Sequence, residues 1–300
     1  MCKVVVIMSS YNGEKYIKDQ IESILNQDQK EVILYIRDDG STDNTTDIIR
    51  KYTKSGRVIL DIGNNLGAKN SFMQAIKNAP QADYYALSDQ DDLWDINKIS
   101  VAIKMIKENE CDKTPILYHS ALKLADQDGK PYAMVGKYNN IGFLNGETRA
   151  VTGCTVVFNK ELRNLLCIHL PNIFPMHDAW IHDVCLAVNG KVLYDNNSYI
   201  RYRQHGNNVV GGSKSVIGSI KRRLRYLKKM EKCQNSGMYK EILENYSDQM
   251  SQLNIERASK LCLYNKSFSN KIYVLVKGKY FKGRLWWKIE QWCLIILGRY

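Results

Sequence analysis

Ser88-Asp89-Gln90-Asp91-Asp92-Leu93-Trp94 follows directly on the apolar run Tyr84-Tyr85-Ala86-Leu87. Three carboxylates within four positions at a strand end repel one another unless a divalent cation or a set of hydroxyl donors sits among them. The competing reading is a solvated acidic turn that caps a helix at Asp92. The flanking sequence decides between them.

Upstream, Lys3 to Met8 is a continuous apolar strand of the buried, parallel type, and Ser9-Ser10-Tyr11-Asn12-Gly13 is the turn at its carboxyl end. Tyr16, Ile17, Ile21, Ile24 and Leu25 then recur at helical spacing. Val32 to Ile36 is a second strand, ended by Arg37-Asp38-Asp39-Gly40-Ser41-Thr42-Asp43. Gly40 supplies a permissive backbone there, and Ser41 or Asp43 an N-cap for a helix from Asn44 to Tyr52. A strand over 57–62, the loop Gly63-Asn64-Asn65-Leu66-Gly67 and a helix over 69–79 lead up to the acidic stretch. Beyond it, Ile96, Ile99, Ile103 and Ile106 mark one apolar helix face. Strand, turn and helix repeated in this way predict an α/β, Rossmann-like, doubly wound sheet, in which ligands collect beyond the carboxyl ends of the strands. Asp39 and the cluster from Asp89 to Asp92 both fall there, so the cluster reads as a metal and ligand site. Neither G-x-G-x-x-G nor G-x-x-x-x-G-K-[ST] occurs, which removes the dinucleotide and P-loop readings.

Downstream, Ile116 to His119 and Ala121 to Leu124 read as a strand ended by Asp126-Gln127-Asp128-Gly129. This second Asp-Gln-Asp reads as a turn, because Gly129 and Pro131 follow at once and a third carboxylate is missing. It also lacks the later Glu of an EF-hand loop. Val151-Thr152-Gly153-Cys154 leads through a strand to Phe158, with a helix from Lys160. Pro171 and Pro175 bracket a loop that feeds His177-Asp178-Ala179-Trp180. His177-Asp178 and His182-Asp183 resemble a doubled metal site, but five helical positions are about 140° of rotation, so the two pairs face apart. Asp178 is the functional carboxylate of choice, with His182 and Asp183 structural or solvent-facing. Trp180, Ile181, Val184 and Val188 are expected core contacts, and Gly190 the helix end. Val192 to Tyr194 and Tyr199 to Tyr202 are strands leading to Arg203-Gln204-His205-Gly206-Asn207-Asn208.

Composition bounds the rest. A chain of 300 residues with 44% hydrophobic and 25% charged residues is ordinary for a globular protein. The eight cysteines form no C-x-x-C and no zinc spacing, so a reducing compartment is expected. Met1-Cys2-Lys3 runs straight into Val4-Val5-Val6-Ile7-Met8, so no signal peptide is read there, and Trp292 to Leu297 is far too short to span a bilayer. Of the net charge of +12, residues 211–300 supply 19 Lys and Arg against 6 Asp and Glu, leaving residues 1–210 nearly neutral. The chain therefore divides into a chemical part, 1–210, and a basic, aromatic, mainly helical tail, 211–300.

Taken together, Ser9-Ser10-Tyr11-Asn12, Asp38 to Asp43, Ser88 to Trp94 with Lys98, Gly153, His177-Asp178-Ala179-Trp180, and Tyr202 to His205 with Asn208 resemble the family-2 glycosyltransferases of GT-A fold. Within them, the resemblance is to the bacterial rhamnosyltransferase-like branch, over roughly residues 3–210 in the family's order. Ala179 replaces the first aromatic of a pair common in that branch, and Lys69 stands where Arg is frequent. The resemblance implies a GT-A mixed sheet with a basic helical extension, and an inverting transfer that depends on Mg²⁺ or Mn²⁺. The donor it implies is a dTDP or UDP sugar, dTDP-rhamnose favoured over a UDP-hexose or UDP-N-acetylhexosamine, and the acceptor a glycan or lipid-linked glycan. It further implies nucleotide contacts from Ser9, Tyr11, Asp39, Lys69 and Asp89, metal ligation by Asp91, His205 as a further metal ligand or a diphosphate contact, and Asp178 as base. Asp92, Trp94, Gly153, His177 and Trp180 would lie on the acceptor or sugar side.

In the tail, Ile217, Ile220, Leu224, Leu227 and Met230 are interleaved with Lys221, Arg222, Arg223, Arg225, Lys228 and Lys229 as a basic amphipathic helix. Tyr280, Phe281, Trp286, Trp287 and Trp292 mix with Lys279, Lys282, Arg284 and Lys288. Both segments suit an anionic membrane surface, which predicts a cytoplasmic protein or one peripheral on the inner face of the cell membrane. The alternative is that the helices pack on the catalytic part with solvated basic faces. A binding protein acting through this tail is the reading from another class, and no recognition motif supports nucleic acid.

Overall fold

The computed structural model of the chain describes residues 2–136, 142–144, 151–205, 234–277, 280 and 285–300. The first half alternates as its apolar spacing predicts: β1 Val4–Ser10, α1 Ile17–Leu25, β2 Val32–Asp38, α2 Thr45–Thr53, β3 Val58–Ile62, α3 Ala68–Asn78 and β4 Tyr84–Ser88. The two-residue β5, Leu93–Trp94, precedes α4 Lys98–Lys107. Ile96, expected on the α4 face, lies before that helix and is exposed.

β6 Ile116–Ala125 and β7 Pro131–Val135 form a hairpin, followed by β8 Val157–Asn159, α5 Lys160–Leu166, α6 His177–Ala187 and β9 Lys191–Arg203. Gly153–Thr155, expected to be extended, is a single 3₁₀ turn. Helix α5 starts cleanly because the Asn159 side chain accepts from Leu162 N–H, a cap of about 1 kcal/mol. Helix α6 ends at Asn189, which takes the positive φ of 61° in place of Gly190. Four helices follow among the described residues: α7 Gln234–Tyr246, α8 Gln252–Cys262, α9 Phe268–Ile272 and α10 Leu285–Ile296.

The strands form one mixed sheet in the order β3-β2-β1-β4-β8-β6-β9-β5, with β7 beside β6. The β3-β2-β1-β4 part is parallel, and β8 breaks the direction on both of its edges. Alternate residues of each strand feed two cores. Val5, Ile7, Tyr85, Leu87 and Phe158 meet α3, α5 and α6 on one face, while Val4, Val6, Met8, Leu34 and Ile36 meet α1, α2 and α4 on the other. The doubly wound expectation holds, and the continuous apolar runs of β1 and β4 reflect burial on both faces.

The C-terminal helices join the first of these cores. Met238, Tyr239 and Ile242 of α7, Ala258 and Leu261 of α8, and Leu294 and Ile295 of α10 are buried in the cluster that holds Trp180, Ile181 and Val184. The basic helix expected over 217–230 lies outside the described residues, as do Gly206, Asn207, Asn208, Lys279, Phe281, Lys282 and Arg284. Among the described residues, no helix is long and apolar enough to cross a membrane.

Candidate active site

Strand order reverses between β1, which continues to β2 and β3, and β4, which continues toward β8. A cleft opens at the carboxyl ends of strands at such a switch point. Ser9 and Tyr11 leave β1 there, Asp38 and Asp39 leave β2, and Asp89 leaves β4.

The β2 end is a rigid polar frame. Asp38 is buried and accepts from the Ser10 hydroxyl at 2.9 Å, the Ser41 hydroxyl at 2.6 Å and Ser41 N–H at 2.8 Å. Asp39, also buried, is ion-paired with Arg37 and accepts from Leu66 N–H and Gly67 N–H, each at 2.9 Å. A carboxylate offers about four acceptor positions, so three protein donors leave one. Arg37 also donates to the Ser71 hydroxyl at 2.8 Å, and the Ser9 hydroxyl donates to the same oxygen at 2.6 Å. Arg37 and Ser71 are missed by sequence reasoning; the signal for Arg37 is a cation ending an otherwise apolar strand. Across the loop, the Tyr11 ring is 47% exposed.

On the β4 side, Asp89 and Asp91 are partly buried. Burial, then the charges of Asp91 and Asp178, push the Asp89 carboxyl up to about 7. Asp178, in the first turn of α6, thus lies within electrostatic reach of Asp89 although 89 positions separate them. Its Oδ1 accepts from Ala179 N–H at 2.7 Å, and the positive end of the helix dipole stabilises its charge. Asp91 Oδ2 meets His205 Nε2 at 2.7 Å, and the His205 ring stacks on Tyr16 at 5.0 Å. Four of the residues expected to do chemistry, Asp89, Asp91, Asp178 and His205, are therefore one group in space. The solvated-turn reading fails, because Asp92 is fully buried.

Other expectations need correction. Asp92 and Trp94, placed on the acceptor side by resemblance, form the floor beneath the acidic group. Asp92 Oδ1 accepts from Arg203 N–H at 3.3 Å, and burial, then Asp89 and Asp91, hold its carboxyl well above the usual range. Trp94 is 3% exposed with the Lys98 ammonium 3.7 Å over its ring, and burial pushes Lys98 down to about 7. Trp180 is fully buried among His169, Phe174 and Tyr246, a core residue rather than an acceptor contact. His177 is buried too, its ring stacked on Phe72 at 4.1 Å, and burial holds it below the usual imidazole range. Gly153 makes room for it, since a Cβ there would sit 2.5 Å from His177 Nε2. Lys69 donates to Phe174 O at 3.0 Å and lies over the Phe174 ring, so it ties α3 to the loop before α6 rather than reaching for phosphate. His182 and Asp183 are buried, not solvent-facing: they pair at 3.0 Å, and the Tyr239 hydroxyl of α7 donates to Asp183 at 3.0 Å.

The donor set suits a hard divalent cation. A carboxylate and an imidazole converge beside two more carboxylates whose repulsion a cation would relieve, and the imidazole suits Mn²⁺ better than Mg²⁺. Asp89, Asp92 and the Cys154 sulfur also lie within 4.8 Å of one another, but burial, then the Asp92 and Asp89 charges, keep the thiol protonated. A hard divalent cation prefers the oxygen ligands of this group to the sulfur.

A mixed, doubly wound sheet with carboxylates at the switch point and no phosphate-cradling glycine motif fits the GT-A class of nucleotide-sugar enzymes. The chain belongs to glycosyl transferase family 2, whose sequence profile matches residues 5–165. It is 30% identical over 234 residues to the dTDP-rhamnosyl transferase RfbG of Shigella flexneri, covering 72% of this chain and 77% of that protein. The fold matches S. aureus TarS 1-349 in complex with UDP-GlcNAc with a TM-score of 0.59 at 17% identity, over 98% of this chain and 79% of that one. It also matches the mannosyltransferase PcManGT from Pyrobaculum calidifontis in complex with GDP-Man and Mn²⁺, TM-score 0.51 at 16% identity, over 100% and 81%. The protein is a glycosyltransferase that uses a nucleotide sugar.

Proposed function

We propose that this enzyme moves a sugar, with rhamnose from dTDP-rhamnose favoured, onto a hydroxyl of a growing, lipid-linked bacterial surface polysaccharide, with inversion and with the help of a divalent cation. The observation that carries the reading is the convergence of Asp89, Asp91, Asp178 and His205 at the switch point. Similarity to the Shigella dTDP-rhamnosyl transferase favours rhamnose, and the Mn²⁺ of the mannosyltransferase complex is in keeping with a metal.

The free acceptor position of Asp39 takes a pyrimidine N–H, with Tyr11 lining the base. Ser9, through the Ser71 hydroxyl it shares with Arg37, steadies that frame. Asp89 holds the ribose hydroxyls, and Asp91 with His205 holds the cation, Mn²⁺ or Mg²⁺. When bound, the cation offsets charge developing on the departing nucleoside diphosphate. Asp178 takes the proton of the acceptor hydroxyl as that oxygen attacks the anomeric carbon. The bond to the diphosphate breaks on the opposite side, and one displacement inverts the carbon.

The exposed Phe268, Ile272, Trp292, Ile296 and Leu297, beside Lys266, Lys271 and Arg299, favour docking on an anionic leaflet where a lipid-linked acceptor resides. Calorimetric titration with dTDP and UDP, each with Mn²⁺ and with EDTA, tests the donor reading. Metal-dependent binding of dTDP is expected, UDP alone would move the donor to a UDP-hexose, and binding of neither would overturn the site. Sedimentation with anionic vesicles at low salt is expected to carry the protein down; failure to do so would remove the membrane from the reading.

A further inference from the structure

The β1–β4 backbone ladder ends at Met8 and Ser88, after which the two strands separate into the loops that carry Tyr11 and the acidic group. One side chain continues the pairing past that point. Gln90 Oε1 accepts from Tyr11 N–H at 2.9 Å, and Gln90 Nε2 donates to Tyr11 O at 3.0 Å. A primary amide is the group that can do both, since it offers an acceptor and a donor side by side. The backbone of Gln90 meanwhile lies between Asp89 and Asp91, so the amide fixes both carboxylates relative to the loop of Tyr11.

Gly13 supplies an independent sign of the same arrangement. A Cβ at this position would stand 2.3 Å from Gln90 Oε1 and 2.6 Å from its Cδ. Gly13 is not among the residues with positive φ, so its backbone does not itself call for glycine. The absent side chain at 13 makes room for the amide at 90.

We infer that Gln90 is a positioning residue of the donor site, clamping the nucleoside-side loop at Tyr11 to the cation-side carboxylate Asp91 so that one ligand engages both. This rests on the donor-site reading proposed above. Nucleotide affinity without metal draws chiefly on the Tyr11 and Asp39 side, with Asp89 adding its ribose contact, whereas the gain given by Mn²⁺ requires the two sides to be in register. Losing the clamp therefore removes the gain and spares the metal-free affinity.

The experiment is a calorimetric titration of wild type, Gln90→Ala, Gly13→Ala, the Gly13→Ala/Gln90→Ala double variant and Asp91→Ala with dTDP and UDP, each with Mn²⁺ and with EDTA. Gln90→Ala is expected to weaken binding about tenfold with Mn²⁺ and less than about twofold with EDTA. Gly13→Ala is expected to do the same alone and to add nothing in the double variant, because contacting residues are not additive. A full Mn²⁺ gain in Gln90→Ala, with that gain lost in Asp91→Ala, would overturn the clamp and leave the donor site standing. Additive losses at 13 and 90, or equal losses with and without metal, would likewise overturn it. A full gain in Asp91→Ala, or no nucleotide binding by the wild type, would overturn the site reading and the clamp with it.

Discussion

Asp89-Gln90-Asp91 and Asp126-Gln127-Asp128 are the same tripeptide, each following a buried strand, yet they do opposite things. In the second copy the carboxylate is used by its own turn: Asp126 Oδ1 accepts from Asp128 N–H at 3.1 Å and Lys130 N–H at 2.9 Å, and Gly129 with φ 80° closes the hairpin from β6 to β7. All three side chains are exposed there. In the first copy no hairpin follows, the glutamine turns to the β1 loop, and the carboxylates face one another and Asp178. The carboxylate of the second copy is satisfied by its own turn, whereas those of the first face one another.

The largest expected effect tests whether the facing group does chemistry. Asp178→Asn keeps the shape and the Ala179 contact but cannot take a proton, so turnover should fall about 10²- to 10⁴-fold with nucleotide binding retained. Wild-type turnover in single-turnover assays would remove Asp178 from the base role. A smaller effect separates the two copies by sign. The Asp89 carboxyl is raised to about 7 in the folded chain, above its unfolded value of 3.8. The folded state thus binds more protons between those values, and stability is lost as pH rises through about 7. At pH 8 without metal, Asp89→Asn should therefore raise the unfolding midpoint, by about 2–4 °C. Asp126→Ala, which strips two N–H groups of their acceptor, should lower it by a similar amount without touching nucleotide binding. Shifts of the same sign, read by calorimetric melting, would break the comparison.

The sheet was legible because its strands are buried on both faces, which leaves apolar runs such as Val4 to Met8 bounded by turn residues. The pairing of Asp91 with His205 came from resemblance, since nothing local joins residues 114 positions apart. Side-chain direction was the part that could not be read. His177 and Trp94 sit inside motifs that look catalytic, but their rings are large enough that packing claims them, whereas helical spacing already placed Trp180 in the core. The Gln90–Tyr11 and Asp183–Tyr239 contacts join distant segments through single polar atoms and leave no periodicity behind. β6 and β9 each run longer than their apolar stretches, and their pairing continues across polar positions by shifting register after Ser120 and Asp195 and again before Lys123.

The position of β9 has a consequence for the nascent chain. This strand lies between β6 and β5, and β5 has no other described neighbour in the sheet. When Asp91 leaves the ribosome, its partner His205 is still 114 codons away, roughly 6 to 20 s at ordinary synthesis rates. The acidic loop therefore spends its first seconds beside a sheet with an open slot. Tyr239, which closes on Asp183, arrives later still. Asp38, Asp39 and Asp91 are thus made before the strand that leads to His205, and the pairing that opposes Asp91 can form only after β9 has been synthesised.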